Sequence, residues 1–391
     1  MILRRWKGFC LAAEEEALFP RGAEMCGEVF APLVFLVRRD PLRARGLYPI
    51  RDLSELDEPE GIGCLTPSSP AEGELAAFVR AHGAGVLNAA FSRAFSILQA
   101  WSAAKKDGLV LTLVGLGDVG GTALLALKLL GRELAKIQIF DPNRAQCQRY
   151  EMELNQVLSA DGRTLPEVVI CEEQDLFRCD LFAFTASRGV PGLDSKVQDV
   201  RMARQADFMG LFCQISDPVD HLSRSVFLQS NQKETGEFDF AGLLPEQVQG
   251  FGLGVMAARC AYYARQLGLD EDALRVYGPH GQGLVCANCC GGNYDAAISA
   301  ELTEKTRTAN LRVRELGFKP YLAPALSSAA ASLLRLVRGQ EHYGAVPLGG
   351  AYFGCVSRMT RFGPELRREA LAPALRAELE KTYAALEAFE Y

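Results

Sequence analysis

Gly115, Gly117 and Gly120 spell the pattern GxGxxG, with Asp118 and Val119 inside it. The triplet follows the apolar run LVLTLV and precedes TALLALKLLG, so it reads as a strand-to-helix turn. Glycines there let the backbone approach a diphosphate, whose charge the helix N-terminus then stabilises. A second strand, KIQIF, leads into Asp141, 26 residues beyond Gly115. That is where a dinucleotide fold places the carboxylate that accepts the adenosine ribose hydroxyls. Asp141 would repel a ribose 2′-phosphate, so NAD is the expected cofactor over NADP, with Arg144 close enough to soften the preference. Cys286, Cys289 and Cys290 form a CANCC segment, but no second Cys/His pair at ligand spacing accompanies it. They read as buried thiols, and no metal is expected.

These residues need a scaffold, and the texture of the chain describes one. From Leu109 onward, β-branched and aromatic runs (LVLTLVG, KIQIF, EVVIC, DLFAFTA, DFMGLFCQIS) alternate with helical patterns. Strands apolar through their whole length read as a parallel sheet covered on both faces. The fold class is therefore α/β, a doubly wound parallel sheet from residue 109 with helix-rich sequence after about residue 250. Residues 1–108 precede it as an α+β extension without a catalytic motif, carrying an expected helix over Ala76 to Lys106.

Composition narrows the functions further. A chain of 391 residues calls for two or three domains, and 49% hydrophobic with 23% charged residues is globular in character. The balance of 42 basic against 48 acidic residues, a net charge of −6, contains no block of like charge. Neither a nucleic-acid nor a membrane footprint is expected, and a small-molecule partner is. Twelve cysteines set in apolar runs, with no readable secretory signal, suggest a cytoplasmic location.

Four segments in order then carry a resemblance: DLFAFTASRGVPG at 180–192, QISDPVDHL at 214–222, GFGLGVMAAR at 250–259 and YGPHGQG at 277–283. Over residues 109–391 the chain resembles the lactate/malate dehydrogenase family. The resemblance implies a Rossmann NAD-binding domain at 109–220 followed by a mixed α/β catalytic domain at 221–391, and hydride transfer between NAD and a carboxylate-bearing 2-hydroxy or 2-oxo acid. It assigns acid/base work to His280, the grip on the substrate carboxylate to Arg259, and contacts on the cofactor side to Thr185 and Ala186. Imidazole titrates near neutrality, and a planar guanidinium binds a carboxylate through two parallel bonds. Arg188 in the substrate loop and Lys319 in GFKPYLAP are further substrate candidates. By analogy a homodimer or homotetramer is expected.

The chain also departs from the family pattern. Met256 stands three residues before Arg259, where the family has the aspartate that orients the histidine, and Asp217 stands where the family has an asparagine. A thioether cannot fix an imidazole tautomer, so Asp217 becomes the candidate partner of His280. Gly189 occupies the specificity position, Ser195 with Lys196 replaces the loop arginine, and the connection from Arg201 to Asp217 is about ten residues short. A non-catalytic NAD-binding protein on the same fold is the competing reading.

Overall fold

The computed structural model describes residues 1–105, 107–186, 208–215 and 219–389. The N-terminal region runs β1 (Ile2–Trp6), β2 (Phe9–Ala13), β3 (Glu24–Met25), β4 (Leu33–Val37), β5 (Leu47–Ile50), α1 (Glu74–His82), β6 (Ala84–Asn88) and α2 (Ala94–Ser102). Its six strands form one mixed sheet in the order β3-β1-β2-β4-β6-β5. The helix expected over 76–106 is thus broken into helix, strand and helix. Gly83, at φ +69, ends α1. Ala84–Asn88, buried at every position, then pairs with β4 on one side and β5 on the other. A short run buried on both faces lacks the alternation that would mark it as a strand, so tertiary pairing decides.

The second unit runs β7 (Leu109–Val114), α3 (Asp118–Leu130), β8 (Leu134–Phe140), α4 (Arg144–Leu154), β9 (Glu167–Ile170), β10 (Leu181–Phe184), β11 (Leu211–Gln214), α5 (Val219–Asn231) and β12 (Val248–Gly250). All five expected strands form, each parallel to its neighbours, in the order β9-β8-β7-β10-β11-β12. Numbered from β7, this is 3-2-1-4-5-6, the dinucleotide-binding order, with β7 at the centre where the winding reverses. The sixth parallel strand lies beyond residue 220, so the sheet extends past the boundary read from the sequence.

The remaining elements are α6 (Leu253–Gln266), β13 (Arg275–Tyr277), β14 (Val285–Ala287), α7 (Ala296–Glu315), α8 (Ser332–Val337), β15 (His342–Pro347), β16 (Tyr352–Thr360), β17 (Gly363–Leu366) and α9 (Pro373–Glu387). A π-helical turn, Pro324–Ala331, leads into α8. β15, β16 and β17 continue the parallel sheet in antiparallel fashion from β12, giving nine strands among the described residues. Among the described residues, no helix is long and apolar enough to cross a membrane. The apolar stretch 109–131 is instead divided between β7 and α3.

The N-terminal region is joined to the large sheet through a shared core. Leu11, Leu47, Phe91, Ile97 and Leu98 pack in one apolar cluster with Phe182, Phe212, Val226 and Phe227. The seam is pinned by polar contacts: Arg93 donates to the carbonyls of Gly242 (3.0 Å) and Phe208 (2.7 Å), and Trp101 Nε1 donates to that of Met209 (3.1 Å). Residues 1–108 are therefore an integral layer over the β10–β11 face. They also hold the stem at which the chain re-enters the sheet.

Candidate active site

The glycine loop leaves β7 at its C-terminal end. Gly115 adopts φ +93, a conformation glycine takes without penalty, and a Cβ there would lie 2.6 Å from the amide nitrogen of Ala186. A Cβ on Gly120 would collide with the carbonyl oxygen of Gly115 and crowd Thr185 Oγ1. Gly117, which caps α3, is different, because a Cβ there meets nothing within 4 Å. Two glycines thus allow the loop to close on its neighbours, while the third leaves the backbone open to a ligand. Thr185 Oγ1 lies 2.9 and 2.7 Å from the carbonyls of Val114 and Gly115, tying the end of β10 to the loop.

Asp141 follows directly on β8. Its Oδ2 accepts from the Leu116 amide and its Oδ1 from the Asn143 amide, both at 2.8 Å. The carboxylate is half-buried, and each oxygen retains acceptor capacity beyond one amide. Arg144, which sequence reasoning set near the ribose, is turned to Glu172 at 2.6 Å. This cradle fits a dinucleotide: an open backbone at a helix start, closely packed glycines on either side, and a carboxylate at the end of the second strand.

These glycines make distinct predictions. Gly120→Ala forces the loop apart, so the variant should lose about 1–3 kcal/mol of stability in denaturant unfolding and lose dinucleotide binding with it. Gly117→Ala should keep the parent stability and lose binding alone. Equal stability of Gly120→Ala and the parent would contradict the packing described here.

α6 organises the chemistry. His280, half-buried in the loop after β13, places Nδ1 3.1 Å from the carbonyl oxygen of Gly252, at the N-cap of α6. A carbonyl only accepts, so Nδ1 carries the proton in this bond. Ser328 Oγ donates to the same carbonyl at 3.1 Å and accepts from the Val255 amide at 2.9 Å. The backbone is fixed here because Gly254 lies against Ser327 and Ser332 with no room for a Cβ. Sequence reasoning missed this arrangement: the imidazole is oriented by a main-chain carbonyl, itself braced by a buried serine.

Met256 and Arg259 lie four and seven residues beyond Gly252, on one face of α6. Met256 is buried against Val276, Cys260 and Cys286, surroundings that would penalise a carboxylate. Arg259 is half-buried, with Nη1 4.0 Å from Met256 Sδ. The start of α6 thus bonds His280 through the Gly252 carbonyl, and the same helix carries Arg259, roughly 10 Å further along its axis from Gly252. Lys319, a substrate candidate by sequence, lies instead beside the glycine loop, with Nζ 3.0 Å from Asp118 Oδ2. Arg188, Gly189, Ser195, Lys196 and Asp217 lie outside the described residues.

One further polar cluster is internally matched. A cleft of about 650 Å³ between residues 54–68 and α9 contains Glu58, Glu60 and Glu380, held by Arg368, Arg45 and Arg376 respectively. Cys286 and Cys290 are buried and Cys289 is half-buried, and among the described residues no group of three or more ligands suits a metal ion.

Comparison with solved structures identifies the fold. A lactate dehydrogenase from a Medee basin deep-sea metagenome library superposes with a TM-score of 0.54 at 17% identity, over 72% of this chain and 97% of that one. The minor L-lactate dehydrogenase of Enterococcus mundtii gives 0.55 at 17% identity, over 73% and 98%. The malate dehydrogenase of Plasmodium falciparum gives 0.54 at 14% identity, over 72% and 96%. The chain thus carries the lactate/malate dehydrogenase fold. The share of the chain outside the superposition is about the size of its N-terminal region. No family model and no curated protein matches the sequence.

Proposed function

On this fold, we propose that the protein is an NAD-dependent oxidoreductase acting on a carboxylate-bearing 2-hydroxy or 2-oxo acid. The observation that carries the reading is the pairing of a dinucleotide cradle with an imidazole held in one tautomer. NAD would be held by the backbone of Gly115 to Gly120, with Asp141 accepting the ribose hydroxyls and Thr185 and Ala186 lining the cofactor side. When bound, it supplies the hydride acceptor in one direction and the donor in the other.

The chain's own residues do the rest. Arg259 grips the substrate carboxylate through two charge-assisted bonds, which orients the carbon bearing the oxygen. His280 Nε2 takes the hydroxyl proton during oxidation and returns it to the carbonyl oxygen during reduction, while Nδ1 stays on Gly252.

A second reading rests on one observation. Met256 is buried in an apolar cluster at the position where the family resemblance expects the carboxylate that orients the imidazole, which suits a protein that binds NAD without turning it over.

Titration calorimetry with NAD and NADP tests the cofactor assignment shared by both readings. NAD should bind, NADP should bind about tenfold or more weakly, and Asp141→Ala should erase that difference. A parent protein that binds neither nucleotide overturns the assignment.

A further inference from the structure

Lys319 and Asp118 are separated by 201 residues, yet the ammonium lies 3.0 Å from the Asp118 Oδ2 carboxylate oxygen. Asp118 is the first residue of α3, inside the glycine loop. Lys319 belongs to the short segment that joins α7 to the π-helical turn 324–331. Its position is set by the backbone: the Tyr321 amide donates to the Lys319 carbonyl at 3.1 Å, the Ala325 amide donates to Tyr321 at 3.0 Å, and the turn packs along α3. The juxtaposition is therefore built by tertiary packing, although the two side chains are 81% and 50% exposed. An ion pair that exposed contributes little to stability, so holding the fold together is a poor account of it.

Charge at this spot has another consequence. In the free chain, a carboxylate in the first turn of α3 suits the positive end of the helix dipole. A dinucleotide brings two phosphate charges to the same turn, and Asp118 alone would oppose them. The geometry points to Lys319 as a cofactor residue whose ammonium offsets Asp118 and meets the diphosphate of the dinucleotide, in place of the substrate role read from its sequence context. The inference rests on the NAD reading proposed above. On binding, the lysine exchanges a carboxylate partner for a phosphate oxygen or bridges the two.

Equilibrium binding to the full chain tests this, with NAD, ADP-ribose and adenosine as probes. Lys319→Ala should weaken NAD and ADP-ribose about tenfold, the weight of one charge-assisted contact, and leave adenosine, which has no diphosphate, unchanged. Asp118→Asn should tighten NAD several-fold. In the Asp118→Asn background, Lys319→Ala should cost less than in the parent, because no uncompensated carboxylate remains. If the parent binds NAD and Lys319→Ala leaves its affinity within twofold, the inference is overturned while the NAD reading stands. A parent that binds neither NAD nor ADP-ribose removes both.

Discussion

His280→Ala should lower turnover of the 2-oxo or 2-hydroxy acid by two to four orders of magnitude, the range that a positioned acid/base group contributes. NAD affinity should stay within about twofold, because the cradle is built from the ends of β7, β8 and β10 while His280 hangs from α6. The imidazole bonds the Gly252 carbonyl through Nδ1, and that carbonyl keeps Ser328 as a donor when the ring is removed. The local backbone therefore has no orphaned acceptor, and the variant should fold as the parent does. Rates measured together with NAD dissociation constants separate the two effects. An alanine variant that retains parental turnover takes His280 out of the mechanism.

Glu246→Gln should stabilise the protein above neutral pH and remove a pH dependence that the parent shows. Glu246 is fully buried where the N-terminal region meets the large sheet. One oxygen accepts from the Gly46 amide at 2.8 Å, and the other, Oε2, has no hydrogen-bond partner among leucine and phenylalanine side chains. Arg45, whose charge acts on it, is committed to Glu60 at 2.7 Å. Burial pushes the Glu246 carboxyl up to about 7 despite the opposing amides and Arg45. In the unfolded chain it titrates in the ordinary range near 4.5, so the folded state binds the proton more tightly. Stability from this group is thus complete below pH 4.5 and falls as pH rises towards 7. It is lost above that, and by linkage the loss is about 3 kcal/mol. Glutamine, neutral throughout, should match the parent near pH 5 and exceed it at pH 8 in denaturant unfolding. Parallel pH profiles for parent and variant would show that the carboxylate is already ionised and satisfied.

Glu246 also shows where the sequence stops being legible. In LLPEQVQG a glutamate reads as a solvated turn residue, and only the packing of residues 1–108 over it reveals a buried acid. The parallel strands were legible because a sheet covered on both faces needs apolar residues at consecutive positions, and LVLTLV, KIQIF and DLFAF supply them. The glycine loop and Asp141 were legible because their chemistry lies in local spacing. Ala84–Asn88 was not, since its strand identity comes from β4 and β5 on either side. The support of His280 was hidden for a different reason: a main-chain carbonyl has no sequence signature, and Ser328 reaches it from 76 residues away. Lys319 was placed with the substrate by its neighbours in sequence, whereas the fold sets it on Asp118.

The most direct test of the account follows absorbance of the reduced nicotinamide while the protein is offered NADH with a panel of 2-oxo acids, and NAD with the matching 2-hydroxy acids. The account predicts turnover of at least one carboxylate-bearing pair, lost in His280→Ala and carrying a strongly raised KM in Arg259→Ala. Tight NAD binding with no turnover of any panel member would contradict it, and would leave a dinucleotide-binding protein whose Met256 marks a site without catalysis.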